Sequence, residues 1–74
     1  MQLEIVESSM IHAVGYDKEK HLLEIIFVAG GIYQYAHVPP NVYEELLNAQ
    51  SKGSYFLANI RDAYDYWELK NAPK

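Results

Sequence analysis

The sequence predicts an α+β domain: an antiparallel β-meander of three to four strands, followed by two α-helices packed on one face. Three observations carry that prediction. Apolar and polar residues alternate with a period near two through the first half of the chain. Pro39-Pro40 then ends the extended pattern, and the period changes to 3.6. Finally, 74 residues leave room for a single hydrophobic core, so residues 1–74 are read as one domain with a frayed tail at Lys70–Lys74. A chain this short buries only about 60% of the surface its unfolded form exposes, which makes its expected stability modest.

Taken in order, Leu3–Val6 reads as a short extended piece and Met10–Tyr16 as a second strand, with Ile11, Ala13, Val14 and Tyr16 interleaved with His12. Asp17–Lys20 is polar and turn-like. Leu22–Val28 is rich in β-formers, and Leu23, Ile25 and Phe27 make one wholly apolar face against Glu24. Ala29-Gly30-Gly31 suits a tight connection, because glycine reaches positive φ without steric cost. Ile32–Val38 returns as the next strand. The first helix is expected over Pro40–Gln50, with Pro40 at the first helical position and Glu44 and Glu45 near the positive end of the dipole. Tyr43, Leu46, Leu47 and Gln50 form its stripe, and Gly53 reads as a left-handed stop. Ser54 then reads as the N-cap of a second helix reaching Glu68, with Phe56, Ile60, Ala63, Tyr64 and Trp67 on one face.

Composition excludes several classes of function. There is no cysteine, so neither a disulfide framework nor a thiolate metal site is available, and the expected location is the cytoplasm. Leu22–Ala29 is broken by Glu24 and too short to cross a bilayer, and Met1–Ser9 carries two glutamates and no basic residue, unlike a signal peptide. No membrane association is expected. Ten acidic against six basic side chains give a formal charge of −4, which opposes a polyanionic partner.

From Ser8 to about Leu69 the chain resembles the KTSC family, small domains found at the C-terminus of some lysyl-tRNA synthetases and as isolated bacterial and phage proteins. The resemblance rests on Ser8-Ser9, Ile11, Val14-Gly15-Tyr16-Asp17, the central Tyr33-Gln34-Tyr35, Val38-Pro39, Tyr43, Ser51-Lys52-Gly53, Tyr55-Phe56 and Ile60-Arg61, in that order and spacing. It implies a stand-alone module, with RNA binding suggested by the synthetase context. Leu57 stands where many members carry asparagine, and Asp62-Ala63-Tyr64-Asp65-Tyr66 where many carry arginines.

Six residues are singled out as binding candidates. Tyr33 and Tyr35, two apart on a strand, point to one face, either as a stacking platform for bases or as rings packed beneath the helices. Arg61, the only arginine, reads as a fork for phosphate or carboxylate, or as the partner of Asp65 or Asp17. Lys52 and Arg61 flank the helix start at Gly53-Ser54, whose free N–H groups suit an anion. Tyr66 lies off the second helical stripe between acids, as in a protein-binding patch. Ser8-Ser9 reads as a turn cap or part of a β-bulge. His12, His21 and His37 lack metal-ligand spacing, and no nucleophile–base pair or carboxylate pair is placed for catalysis. No metal, cofactor, small-molecule substrate or enzymatic activity is therefore expected. The sequence is therefore read as a non-catalytic binding module, with RNA such as tRNA as partner. The alternative is a protein-binding adaptor on a translation or transcription assembly.

Register decides between the two tyrosine readings. A two-residue turn after Val28 would bury Gln34 and expose Tyr33 and Tyr35. An odd, three-residue Ala29-Gly30-Gly31 loop places both rings with Leu23, Ile25 and Phe27 instead. Burying an unpaired amide costs about 1–3 kcal/mol, so the odd loop is expected.

Overall fold

The computed structural model describes residues 1–69; the tail expected to fray at Lys70–Lys74 lies outside the described residues. Four strands come first: β1 (Leu3–Ile5), β2 (Ile11–Asp17), β3 (Leu22–Phe27) and β4 (Ile32–Tyr35). Helices α1 (Pro40–Asn48) and α2 (Lys52–Asn59) follow, and the chain then returns to the sheet as β5 (Tyr66–Leu69). The five strands form one antiparallel sheet in the order β1-β2-β3-β4-β5.

The fifth strand corrects the expected helix over Ser54–Glu68. α2 stops at Asn59, and Ala63 N–H donates to the Ile60 carbonyl in a turn. Tyr66 and Trp67 are β-formers, and antiparallel pairing with the free edge of β4 satisfies their backbone groups. Ile60 stays in the core as expected, but Ala63 is exposed and Trp67 lies on the outer sheet face, 44% exposed. Among the described residues the strand count is therefore five rather than three to four.

Smaller differences are also local. Gly53 does not stop the first helix; it lies inside α2, where an added Cβ would meet Met10 Sδ at 3.2 Å. The N-cap is Ser51 rather than Ser54: its Oγ accepts from Ser54 N–H at 3.2 Å. Pro40 does open α1, but Glu44 and Glu45 lie beyond its first turn. Ser51→Ala is expected to destabilise the fold by about 1 kcal/mol, read as a lower urea midpoint at unchanged slope.

The hairpin between β3 and β4 has the expected parity. Phe27 N–H donates to the Gly31 carbonyl and Gly30 N–H to the Phe27 carbonyl, so the loop is Val28-Ala29-Gly30, one residue earlier than expected. Gly30 and Gly31 take φ of 107° and 98°, which L side chains rarely adopt. Ile25 then opposes Tyr33, and Leu23 opposes Tyr35. Both tyrosines share the face of the core.

That face packs under the helices. Ile11, Val14, Leu23, Ile25, Tyr35, Val38, Leu46, Phe56 and Ile60 form one buried cluster. At the entry to β2, Ser8 Oγ accepts from Met10 and Ile11 N–H, and the register shifts between Ile11 and Ala13. On the opposite face Gln34 pairs with Glu24. Its Nε2 donates to Glu24 Oε1 at 2.9 Å, and its Oε1 accepts from Trp67 Nε1 at 3.1 Å. The amide that the wrong parity would have buried is satisfied at the outer surface.

Candidate functional site

The odd hairpin and β5 together place Tyr33, Tyr35 and Tyr66 side by side, because Tyr35 opposes Tyr66 and cross-strand partners share a face. The Tyr66 ring stacks on Tyr35 at 5.5 Å with an interplanar angle of 28°, and lies 6.0 Å from Tyr33. Phe27 meets Tyr33 edge to face at 5.5 Å, and Phe56 of α2 meets Tyr35 in the same way. These rings line an open pocket of about 410 Å³ together with Met10, Ala29, Gly30, Leu57 and Arg61.

Four of the six residues expected to bind therefore line one cavity, though not as a flat platform. Tyr35 is 2% exposed and Tyr33 partly buried. Tyr66 is 56% exposed. Among the described residues, Arg61 is the only charged one in the lining. Its ion pair is with Asp62, at 3.7 Å between two exposed groups, and not with Asp65 or Asp17 as expected. Such a pair is weak, which leaves the guanidinium available to a ligand.

Tyrosine acidity follows from this packing. Burial, then the Tyr66 and Tyr33 rings, push the Tyr35 phenol up to about 12, while Arg61 pulls in the opposite direction. The hydroxyl therefore stays a neutral donor at any physiological pH and is a poor general base.

Lys52 and Ser54 do not join this group. They border a separate polar hollow of about 340 Å³ with Ser8, Ser9, Gln50 and Ser51. Lys52 Nζ donates to the Ala49 carbonyl at 3.0 Å, closing the end of α1, and the Ser54 N–H is taken by Ser51. Lys52 and Arg61 lie at opposite ends of α2, so the anion-binding corner expected from their flanking of the helix start is not assembled. His12, His21 and His37 are all exposed, the latter two at turns with φ of 52° and 62°. Among the described residues, no group of three histidine, cysteine or carboxylate side chains could hold a metal ion, and no helix is long and apolar enough to cross a membrane.

Sequence reasoning assigned Phe27 and Phe56 to the core alone and passed over Met10, Leu57 and the Ala29-Gly30 rim. The alternation of Tyr66 and Glu68 with Trp67 and Leu69 was the available signal that Tyr66 belongs with Tyr33 and Tyr35.

A five-stranded antiparallel sheet with two helices inserted before its last strand and an aromatic pocket lined from both defines a small α+β domain. The model of the KTSC domain matches residues 7–64, and the chain belongs to that family. A crystal structure of a KTSC domain protein from Yersinia pestis superposes with a TM-score of 0.91 at 35% identity, covering 93% of this chain and 97% of that one. An uncharacterised protein of Stutzerimonas stutzeri is 38% identical over 65 residues, which cover 86% of this chain and 92% of the relative. A lysine–tRNA ligase of Nostoc punctiforme is 38% identical over 63 residues, which are 85% of this chain but 11% of the ligase.

Proposed function

We propose that this KTSC domain is a non-catalytic module that binds a protein partner through the aromatic pocket. The observation that carries the reading is a concave site walled by Phe27, Tyr33, Tyr35, Phe56 and Tyr66, with a single guanidinium, on a chain of net charge −4. Aromatic residues and arginine dominate the energetic centres of protein interfaces, because they bury large rigid surface at low entropic cost. Among the described residues, the lining holds no carboxylate, histidine, serine or cysteine, which supports binding over catalysis. A cysteine-free sequence supports a cytoplasmic location.

A second reading, RNA binding, is favoured by the lysine–tRNA ligases that share the domain. In it the pocket takes one unstacked base and Arg61 its phosphate. An acidic surface with one arginine has little with which to follow a phosphate backbone, so only one contact is supplied. Affinity for tRNA would then fall with salt at a logarithmic slope of about −0.7.

Photocrosslinking separates the two. A photoreactive residue at the exposed loop position Ala29, which lines the pocket, is expected to give adducts that protease destroys and ribonuclease does not. Those adducts should vanish when Arg61→Ala or Leu57→Glu is added. Ribonuclease-sensitive adducts would replace the protein reading with the RNA one. Adducts that survive both pocket substitutions, or none at all, would sink the pocket as the working surface.

A further inference from the structure

We infer that the pocket and the adjacent sheet edge receive the carboxy-terminal strand of a partner, with a basic side chain two residues before an apolar last residue. The inference rests on the protein-binding reading above and adds the form of the ligand. Three independent features of the same corner point to it.

The first is the edge. β5 is the outermost strand beside β4, and among the described residues nothing pairs with its other side. Its outward N–H and C=O groups form a template for one more strand, and strand addition draws affinity from main-chain hydrogen bonds and specificity from pockets for alternate side chains. The second is the pocket, which is lined by Tyr66, the exposed first residue of that strand. At about 410 Å³ it has room for one large apolar or aromatic side chain. A residue placed opposite Tyr66 on an added strand shares its face, so its side chain turns toward the cavity.

The third is charge. Arg61 lines the pocket together with Tyr66, while Glu68, two residues along β5, shares the face of Tyr66. Arg61, in the turn after α2, lines the pocket with Tyr66, so the cation lies beside the start of β5 and the anion two residues along it. A main-chain carboxylate fits the guanidinium as a bidentate pair, stronger than the loose 3.7 Å contact with Asp62 that it would replace. The ligand's terminus therefore lies at the Tyr66 end, its strand runs antiparallel to β5, and its residue two positions earlier faces Glu68. A lysine or arginine there meets an opposite charge across the ladder. An internal segment would have to continue past Arg61 and would bring it no main-chain carboxylate.

Fluorescence anisotropy with labelled hexapeptides tests each part. The probes are Gly-Ser-Gly-Lys-Ser-Phe as the free acid, the same peptide amidated, and the free acid with glutamate in place of lysine. The free acid is expected to bind, and amidation to weaken it about tenfold or more. The glutamate peptide should bind several-fold more weakly than the lysine one. Arg61→Ala should erase the difference between acid and amide without unfolding the chain, because Arg61 is exposed; circular dichroism checks the fold. Equal binding of acid and amide, or no binding by any probe, overturns the terminal-strand inference. The Ala29 crosslinks report separately: protease-sensitive pocket adducts alongside failed peptides leave the protein reading standing, and ribonuclease-sensitive ones remove both.

Discussion

Replacing Phe56 with alanine is expected to cost about 3–5 kcal/mol, close to the entire stability of a domain this small. Phe56 is 2% exposed and sits where α2 meets the sheet. Its ring meets Phe27 edge to face at 5.4 Å and Tyr35 at 5.5 Å, and Leu46 and Ile60 belong to the same buried cluster. Truncation would remove the ring from both aromatic contacts and leave a void beneath the two helices, with little room for rigid strands to close over it. The same substitution would take away one wall of the pocket, so binding and stability should fall together. Urea unfolding followed by far-ultraviolet circular dichroism measures the cost. A variant melting within a few degrees of the unaltered chain would mean that Phe56 is not part of the core.

The first four strands were legible because each is bounded by its own local signals. Asp17–Lys20 marks one turn, and its Asp17 Oδ1 indeed accepts from Glu19 and Lys20 N–H. The glycines mark the next. Parity at that hairpin followed from a comparison of costs, an unpaired Gln34 amide against two tyrosine hydroxyls, and the structure puts Gln34 outside with Glu24 and Trp67 as partners. β5 was not legible in the same way. Phe56, Ile60, Ala63, Tyr64 and Trp67 fit a helical stripe, and no glycine or proline interrupts residues 54–69. What ends α2 is non-local: β4 offers an unpaired edge, and Tyr66–Leu69, which opens on the β-formers Tyr66 and Trp67, satisfies it. A periodicity count along one segment carries no information about an open edge some thirty residues away.

The candidate site was legible residue by residue but not as an assembly. Tyr33, Tyr35, Arg61 and Tyr66 were each singled out, and each lines the pocket. Their convergence depends on β5, since a helix through Tyr66 would carry its ring away from the sheet. Pairing Lys52 with Arg61 failed for the converse reason. The two residues flank a serine and a glycine in sequence, but a helix of eight residues stands between them in space. The Lys52 ammonium instead serves the end of α1.

Above pH 10 the fold is expected to lose stability steeply, with Tyr35 as the largest single contributor. Its phenol is pushed from the ordinary 10.0 to about 12, first by burial and then by the neighbouring Tyr66 and Tyr33. Below the unfolded value both states hold the proton and the group contributes its full stabilisation. As pH rises from 10 toward 12 the unfolded chain releases the proton while the folded chain retains it, so the equilibrium is drawn toward unfolding. Two pH units of separation correspond to roughly 2–3 kcal/mol by the upper end of that window. Tyr55 is also raised to about 12, by burial and then by its hydroxyl's hydrogen bond to Glu45 Oε1 at 2.6 Å. It lies near the surface, where solvent weakens the effect. Tyr35→Phe keeps the ring, its stacking on Tyr66 and the edge contact with Phe56, and removes only the titrating hydroxyl. Urea midpoints measured from about pH 8 to 11.5 should fall for the unaltered chain and fall markedly less for Tyr35→Phe, with Tyr55→Phe intermediate. Equal slopes for the unaltered chain and Tyr35→Phe would show that Tyr35 ionises as readily folded as unfolded, which its burial against Phe56 and Tyr66 forbids.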